Sequence, residues 1–185
     1  MKEGPILFSG AMVRALLDGS KTQTRRVIKT AGIVDARALG PKAACCPYSE
    51  GQNLWVRETW YCDDYRVQRG PYLKPDDLDV EEAREHGTLV YAADGLRPYE
   101  AKQPVWRPSI HMPRWVSRIL LEVTGVRVER LQDISEDDAW AEGCPEDATW
   151  PLDWYRSLWD RLNAARGYGW DTDPSVWVIE FKRLG

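Results

Sequence analysis

Apolar residues recur along this chain at two spacings, and the switches between them mark out its elements. Pro5 to Phe8 reads as a short first strand. Behind it Met12, Val13, Leu16 and Leu17 return at the three-and-four spacing of one helix face, with Ser9 placed to cap the start and Gly19 to stop the end. Leu54 to Trp60 sets Leu54, Val56 and Glu58 on one face and Trp55, Arg57 and Thr59 on the other, which predicts a strand after the turn formers Gly51 and Asn53. Ser117 to Thr124 and Val126 to Arg130 predict two strand pieces separated at Gly125, where a bulge or bend would let a sheet curl. Ser135, with Asp138 three residues on, resembles a capping box and opens a short helix that Gly143 closes, leaving Glu142 in its last turn. Pro151 to Arg166 is the longest helical pattern, with a stripe of Leu152, Tyr155, Leu158, Trp159 and Leu162 and a stop at Gly167. Val176 to Lys182 alternates again and predicts a terminal strand.

Two stretches lack a period of their own. Residues 30 to 50 read as loop, whereas 63 to 108 are rich in Pro, Gly, Tyr and charge, with a helix predicted at Val80 to His86 and a strand at Thr88 to Ala92. This predicts one domain over residues 1–185 carrying an insertion at about 61–114. Several short, bent strands with two or three helices between them predict an α+β fold built on a small curled sheet or barrel. Neither a GxGxxG sequence, a P-loop nor an internal repeat is present, so no nucleotide cofactor is expected.

Composition narrows the function classes. The 185 residues suffice for a core that needs neither disulfides nor metal. No apolar run approaches the roughly 18 residues of a membrane span, and the N-terminus lacks a basic stretch before a hydrophobic signal core, which predicts a cytoplasmic protein with no membrane partner. Cys45, Cys46, Cys62 and Cys144 include no CxxC spacing, so they read as free thiols rather than as metal ligands or a disulfide frame. The net charge of -4 argues against coating of nucleic acid by bulk electrostatics. Residues 1 to 60 nevertheless carry nine Lys and Arg against five Asp and Glu, so a basic groove on an acidic body is allowed, favouring a small or single-stranded ligand. Ten tryptophans supply core and, at some positions, surfaces on which bases can stack.

The chemistry concentrates in Gly19 to Arg26, which reads Gly-Ser-Lys-Thr-Gln-Thr-Arg-Arg. Lys21 and Thr24 can form a base and nucleophile pair, with Thr22, Arg25 and Arg26 beside them for an anionic or carbonyl-bearing ligand. A threonine hydroxyl needs a neighbour to take its proton, and a lysine does so only when burial or nearby cations lower its pKa. The competing reading of the block is a solvated basic loop. Trp55 and Arg57 offer planes for a base, as does Trp60. Glu58, on an apolar strand face, is either a structural ion-pair partner or a second site acid. His111, between Ile110 and Met112 and flanked by Pro108 and Pro113, suits a rigid turn or a proton donor to a leaving group. Trp154, Tyr155 and Trp159 recur at helical spacing and read as core.

The ordered set of a helix ending in Asp18-Gly19, the Lys21-Thr22-Gln23-Thr24 block with Arg26, the Gly51 to Val56 turn and strand, the Ile119 to Asp138 segment and the closing Val178-Ile179-Glu180-Phe181-Lys182 resembles the ASCH-domain family, a group of PUA-like β-barrels. These blocks cover roughly half to two thirds of the chain. The Leu-Trp-Val-Arg-Glu-Thr-Trp strand and the Pro-Ser-Ile-His-Met-Pro-Arg-Trp segment are similar to the larger members common in phage and prophage genomes. The best understood small members remove the acetyl group from acetylcytidine and related nucleosides. The resemblance implies a threonine nucleophile at Thr24, a lysine base at Lys21 and an assisting glutamate at Glu142, acting without metal or cofactor. Two alternatives stand beside this hydrolase, a non-catalytic reader of RNA or modified nucleic acid and a metal-independent ribonuclease. A nucleoside or single-stranded RNA is thus the expected partner, and the insertion, absent from the small hydrolases, leaves the substrate open.

Overall fold

The computed structural model describes residues 3–29, 46–95 and 105–184. Within them the chain is a mixed α+β structure whose strands form one five-stranded sheet and one separate two-stranded pair. The predicted loop at 30 to 50 falls largely outside the described residues, as does Cys45. Two compact units divide the chain, one built chiefly from Ala15–Gln52 and Glu122–Arg183, the other from Lys2–Arg14 and Asn53–Leu121.

The second of these units holds β1 (Glu3–Leu7), the first half of α1 (Gly10–Asp18) and β3 (Asn53–Arg57). β1 pairs with β3 in parallel, Glu3 opposite Asn53 through Leu7 opposite Arg57. Leu54, Trp55 and Val56 are all buried, so both faces of β3 are covered and the alternation seen in sequence does not separate core from solvent. The single strand predicted over Leu54 to Trp60 is two: β3 ends at Arg57, and β4 (Trp60–Cys62) pairs antiparallel with β5 (Leu89–Tyr91). The break has a tertiary cause. The Glu58 amide points at the Met112 sulfur, 3.2 Å away, and its carboxylate is held by both Nε and Nη2 of Arg118 at 2.9 and 3.1 Å.

The segment expected to be an insertion contains a helix and a strand close to the predicted ones. α2 (Val80–Glu85) is capped by Asp79, whose carboxylate accepts from the Glu81 and Glu82 amides. Its Ala83 packs with Trp60, Cys62, Val67, Leu89, Tyr91, Met112 and Val116 in a separate apolar cluster, which orders the segment as a small core rather than as a surface excursion. Trp60 is 1% exposed within it and edge-on to the Tyr72 and Trp115 rings, so it offers no open plane to a base.

In the first unit β2 (Gln23–Val27) runs antiparallel to β7 (Ser175–Leu184), with Thr24 opposite Ile179, and β7 lies between β2 and β6 (Leu120–Arg130) in the sheet order. Val176, Trp177, Val178 and Ile179 are buried in succession, marking β7 as a strand covered on both faces. β6 is continuous through Gly125, where two pieces were expected. A Cβ at Gly125 would come within 2.8 Å of Glu180 Oε2, the end of a flexible, half-exposed side chain that can swing aside. α3 (Glu136–Ala141) and α4 (Pro151–Asn163) follow their predicted bounds closely, α3 with its Ser135–Asp138 capping box and α4 with Pro at its start and a 3₁₀ turn to Arg166 before Gly167. Tyr155, Leu158 and Trp159 form the buried part of the α4 stripe, whereas Leu162 is exposed. Among the described residues no helix is long and apolar enough to cross a membrane.

Candidate functional site

The site begins where α1 stops. Gly19 adopts φ 86°, a left-handed conformation that turns the chain, and the Lys21 amide donates to the Ala15 carbonyl at 2.9 Å. Residues 21 and 22 are then fastened to the far end of α3: Lys21 forms an isolated antiparallel bridge with Glu142, and the Thr22 amide donates to the Ala141 carbonyl at 2.8 Å. Glu142 is the C-cap of α3, and Gly143 follows at φ 92°. The main chain therefore sets the amine and the carboxylate face to face. Lys21 Nζ donates to the Glu142 carbonyl at 2.7 Å and to its Oε2 at 2.9 Å. The first of these contacts places a cation-capable group on the negative end of a helix.

The other carboxylate oxygen is also taken. Arg25 Nη1 donates to Glu142 Oε1 at 3.2 Å, while its Nη2 reaches Glu129 Oε2 and Asp138 Oδ2, each at 3.0 Å. Gln23, two residues earlier and on the same strand face, donates to the Asp138 backbone and to Oδ1. Arg127 ties the outer side together through Glu129, Asp138 and Glu180. Thr24 leaves β2 on the opposite face, 1% exposed, and its Oγ1 accepts from Arg26 Nη1 at 2.9 Å.

Burial decides the electrostatics. Removing Lys21 from water pushes its amine below the usual lysine range; Glu142 opposes that shift, and Arg26 and Arg25 add to it. The folded protein thus holds fewer protons than the unfolded chain just under the ordinary lysine pKa, and through that window this group makes the fold more stable as pH rises. For Arg25 burial works against the charge, but Glu142, Tyr155, Asp138 and Glu129 outweigh it and raise its pKa. Asp138 pays the same burial penalty, yet Gln23, Arg25 and Ser135 hold its carboxyl down at about 2.

Tyr155 of α4 belongs to this group although its spacing in sequence marked it as core. It is 2% exposed, with the Arg25 guanidinium carbon 6.0 Å from its ring centre. Burial and then Glu142 push its hydroxyl well above the usual tyrosine range, so it stays protonated as a donor. Asp138 is the other residue the sequence reading passed over as part of a site. It precedes Glu142 by one helical turn, a spacing that sets both carboxylates on one face of α3.

The remaining expected ligands have other surroundings. Thr22 is exposed. Trp55 is nearly buried, with the Arg57 guanidinium 4.6 Å from its ring centre, and Arg57 Nη1 donates to the Ile110 carbonyl. Glu58 is paired with Arg118, which also binds Asp94 and lies 4.0 Å from the Tyr91 ring centre. Its carboxyl is raised by burial against the pull of Arg118. His111 is exposed in a 3₁₀ turn, its ring 6.4 Å from that of Tyr72. Trp55, Arg57, Glu58 and His111 all fall in the second unit, whereas Lys21, Thr22, Thr24, Arg25, Arg26 and Glu142 all fall in the first. Among the described residues no group of His, Cys, Asp and Glu is arranged to hold a metal ion.

Gly143 provides a direct check on how tightly this corner is built. A Cβ on it would lie 2.9 Å from the Ala15 Cβ and 3.2 Å from the Lys21 Cβ, besides requiring a left-handed backbone. Gly143→Ala is expected to cost about 2–4 kcal/mol in urea unfolding, combining backbone strain with overpacking. At Gly19, also left-handed, a Cβ meets nothing within 4 Å, so Gly19→Ala carries the backbone strain alone and is expected to cost about 1–2 kcal/mol. Equal losses at the two positions would show that the close approach at Gly143 carries no energy.

Comparison with protein-family models gives no match, and comparison with curated proteins gives none either. Among solved structures the chain is similar to the crystal structure of an ASCH domain from Lactobacillus crispatus JV V101, with 13% identity and a TM-score of 0.47 over 98% of this chain and 79% of that one. It is also similar to a protein from Enterococcus faecalis V583, with 9% identity and a TM-score of 0.48 over 100% of this chain and 81% of that one.

Proposed function

We propose that this protein is an ASCH-type amidohydrolase, of the larger kind found in phage genomes and with that family's curled barrel, which removes an acyl group from an acylated nucleoside or nucleobase. The observation that carries the reading is Lys21: a wholly enclosed amine, drawn below the ordinary lysine range, held on a helix C-terminus by Glu142. Such a group is costly to keep for packing alone, and an amine whose proton is held less tightly than usual is suited to acting as a base.

In the proposed reaction Thr24 Oγ1 attacks the acyl carbonyl carbon and its proton passes to the Lys21 amine. The Arg26 contact to Oγ1 favours the developing alkoxide, because a guanidinium hydrogen bond strengthens as the oxygen gains charge. Collapse of the tetrahedral intermediate breaks the C–N bond, and the departing nitrogen takes the proton from Lys21. Water then cleaves the acyl-threonine ester by the reverse roles, giving the free acid. Glu142 keeps the amine in place through both steps.

Arg25 bears on the choice among the three readings. The binding-only alternative needs Arg25 and Arg26 for phosphate, but the Arg25 side chain is fully buried and its donors face three carboxylates. Incubation with N4-acetylcytidine, followed by chromatography for cytidine and acetate, tests the proposal. Cytidine release by the protein, absent in Lys21→Ala, is expected; release no greater than in that variant would sink the assignment.

A further inference from the structure

Two cations share one carboxylate in the interior of the first unit, and they are not equivalent. Glu142 gives Oε2 to Lys21 at 2.9 Å and Oε1 to Arg25 at 3.2 Å, with both cationic side chains 0% exposed and that of Glu142 at 2%. An arginine keeps its proton under any condition a folded protein meets, whereas a lysine amine gives its proton up when desolvated. When the enclosure can support only one of the two charges beside Glu142, the proton that leaves is therefore the lysine's.

We propose that Arg25 is a positioning residue, the standing counter-charge of Glu142, so that Lys21 is held in the site as a neutral amine rather than as that carboxylate's ion-pair partner. The inference deepens the hydrolase reading and rests on it for its purpose, though not for its test. Two details of geometry support it. Nη1 of Arg25 serves Glu142, whereas Nη2 serves Glu129 and Asp138. Arg127 engages Glu129, Asp138 and Glu180 from their other side, which lessens their demand on Arg25, and these three carboxylates retain enough exposure for solvent to screen them.

Arg25 and Arg26 on β2 and Glu142 at the cap of α3 act on the amine directly, Glu129 on β6, Asp138 on α3 and Tyr155 on α4 act on Arg25, and Arg127 on β6 with Glu180 on β7 closes the outer side. Arg26 and Arg25 oppose a charge on Lys21, while Glu142 favours one. Removing Arg25 thus removes a repulsion and leaves Glu142 to Lys21 alone.

The test follows the ε-carbon of Lys21 by NMR through a pH titration of the full chain with labelled lysine, the signal assigned by its loss in Lys21→Met. In the wild-type protein Lys21 is expected to titrate well below the other lysines. Arg25→Gln is expected to move that titration up by about one unit or more. Should Arg25→Gln not fold, Arg25→Gln with Asp138→Asn removes one cation and one anion together and is expected to move it in the same direction. A purely structural Arg25 would lower stability in these variants and leave the Lys21 titration where it was. A wild-type Lys21 that titrates with the ordinary lysines, or one indifferent to Arg25, overturns the inference. Because no substrate enters the measurement, a protein that fails to hydrolyse acetylcytidine but shows the displaced titration refutes the reaction and leaves the role of Arg25 standing.

Discussion

Glu142→Gln is expected to lower the free energy of unfolding by about 3–5 kcal/mol, measured by urea denaturation at neutral pH. The substitution keeps the shape of the side chain and removes its charge, so the loss reports electrostatics rather than a cavity. Arg25 then has a full charge in a sealed space with one of its three carboxylates gone, and its Nε has no partner to begin with. Lys21→Met provides the contrast. It leaves Glu142 with Arg25 and replaces the amine by an apolar chain of similar length, and it is expected to cost less than half as much. A larger loss in Lys21→Met than in Glu142→Gln would mean that lysine, not arginine, is the ion that stabilises the carboxylate.

The second large effect is on chemistry. Thr24→Val is nearly isosteric, and at a strand position a β-branched residue is well accommodated, so the fold should survive with a loss of about 1–2 kcal/mol for the orphaned Arg26 hydrogen bond. Acetylcytidine hydrolysis, by contrast, is expected to fall by more than about a thousandfold, because the atom that would bond to the acyl carbon is gone. Thr24→Ser restores a hydroxyl in the same place and is expected to recover measurable turnover. Retention of activity in Thr24→Val would exclude Thr24 as nucleophile and turn attention to water activated directly by Lys21.

Local signals made much of the fold legible. The Ser135–Asp138 pair and Gly143 bracket α3 because capping chemistry is short-range, and Pro151 and Gly167 do the same for α4 and its 3₁₀ extension. Where the reading went astray, tertiary contacts had overruled a local pattern. Alternation carried the strand prediction through Glu58 to Trp60, but a buried carboxylate needing Arg118 and an amide turned toward the Met112 sulfur end β3 at Arg57. Gly125 looked like a bend because glycine often marks one in a strand, yet β6 runs unbroken through it.

The candidate site divides in the same way. Lys21 and Thr24 stood out from their residue types and Glu142 by resemblance, and the structure brings Lys21 and Glu142 into direct contact while joining Thr24 to Arg26. Arg25 and Arg26 looked interchangeable as ligands because they are adjacent. Strand alternation sends them to opposite faces, Arg25 inward with Gln23 and Arg26 with Thr24, a distinction that the parity of a short strand already contained. Tyr155 could not be found this way, since a tyrosine on an apolar helix stripe looks the same whether or not a charged group awaits it.

One consequence follows from the bridge between Lys21 and Glu142 and the adjoining bond from Thr22 to Ala141. The amine and the carboxylate are registered by main-chain atoms, so their spacing does not depend on which side chains stand there or on how many residues the chain travels between them. Insertions or substitutions in the sequence between residues 22 and 141 leave the two backbones facing each other for as long as these main-chain contacts form. The bridge acts as a fixed socket, and it is the part of this protein best suited to being transplanted or re-equipped.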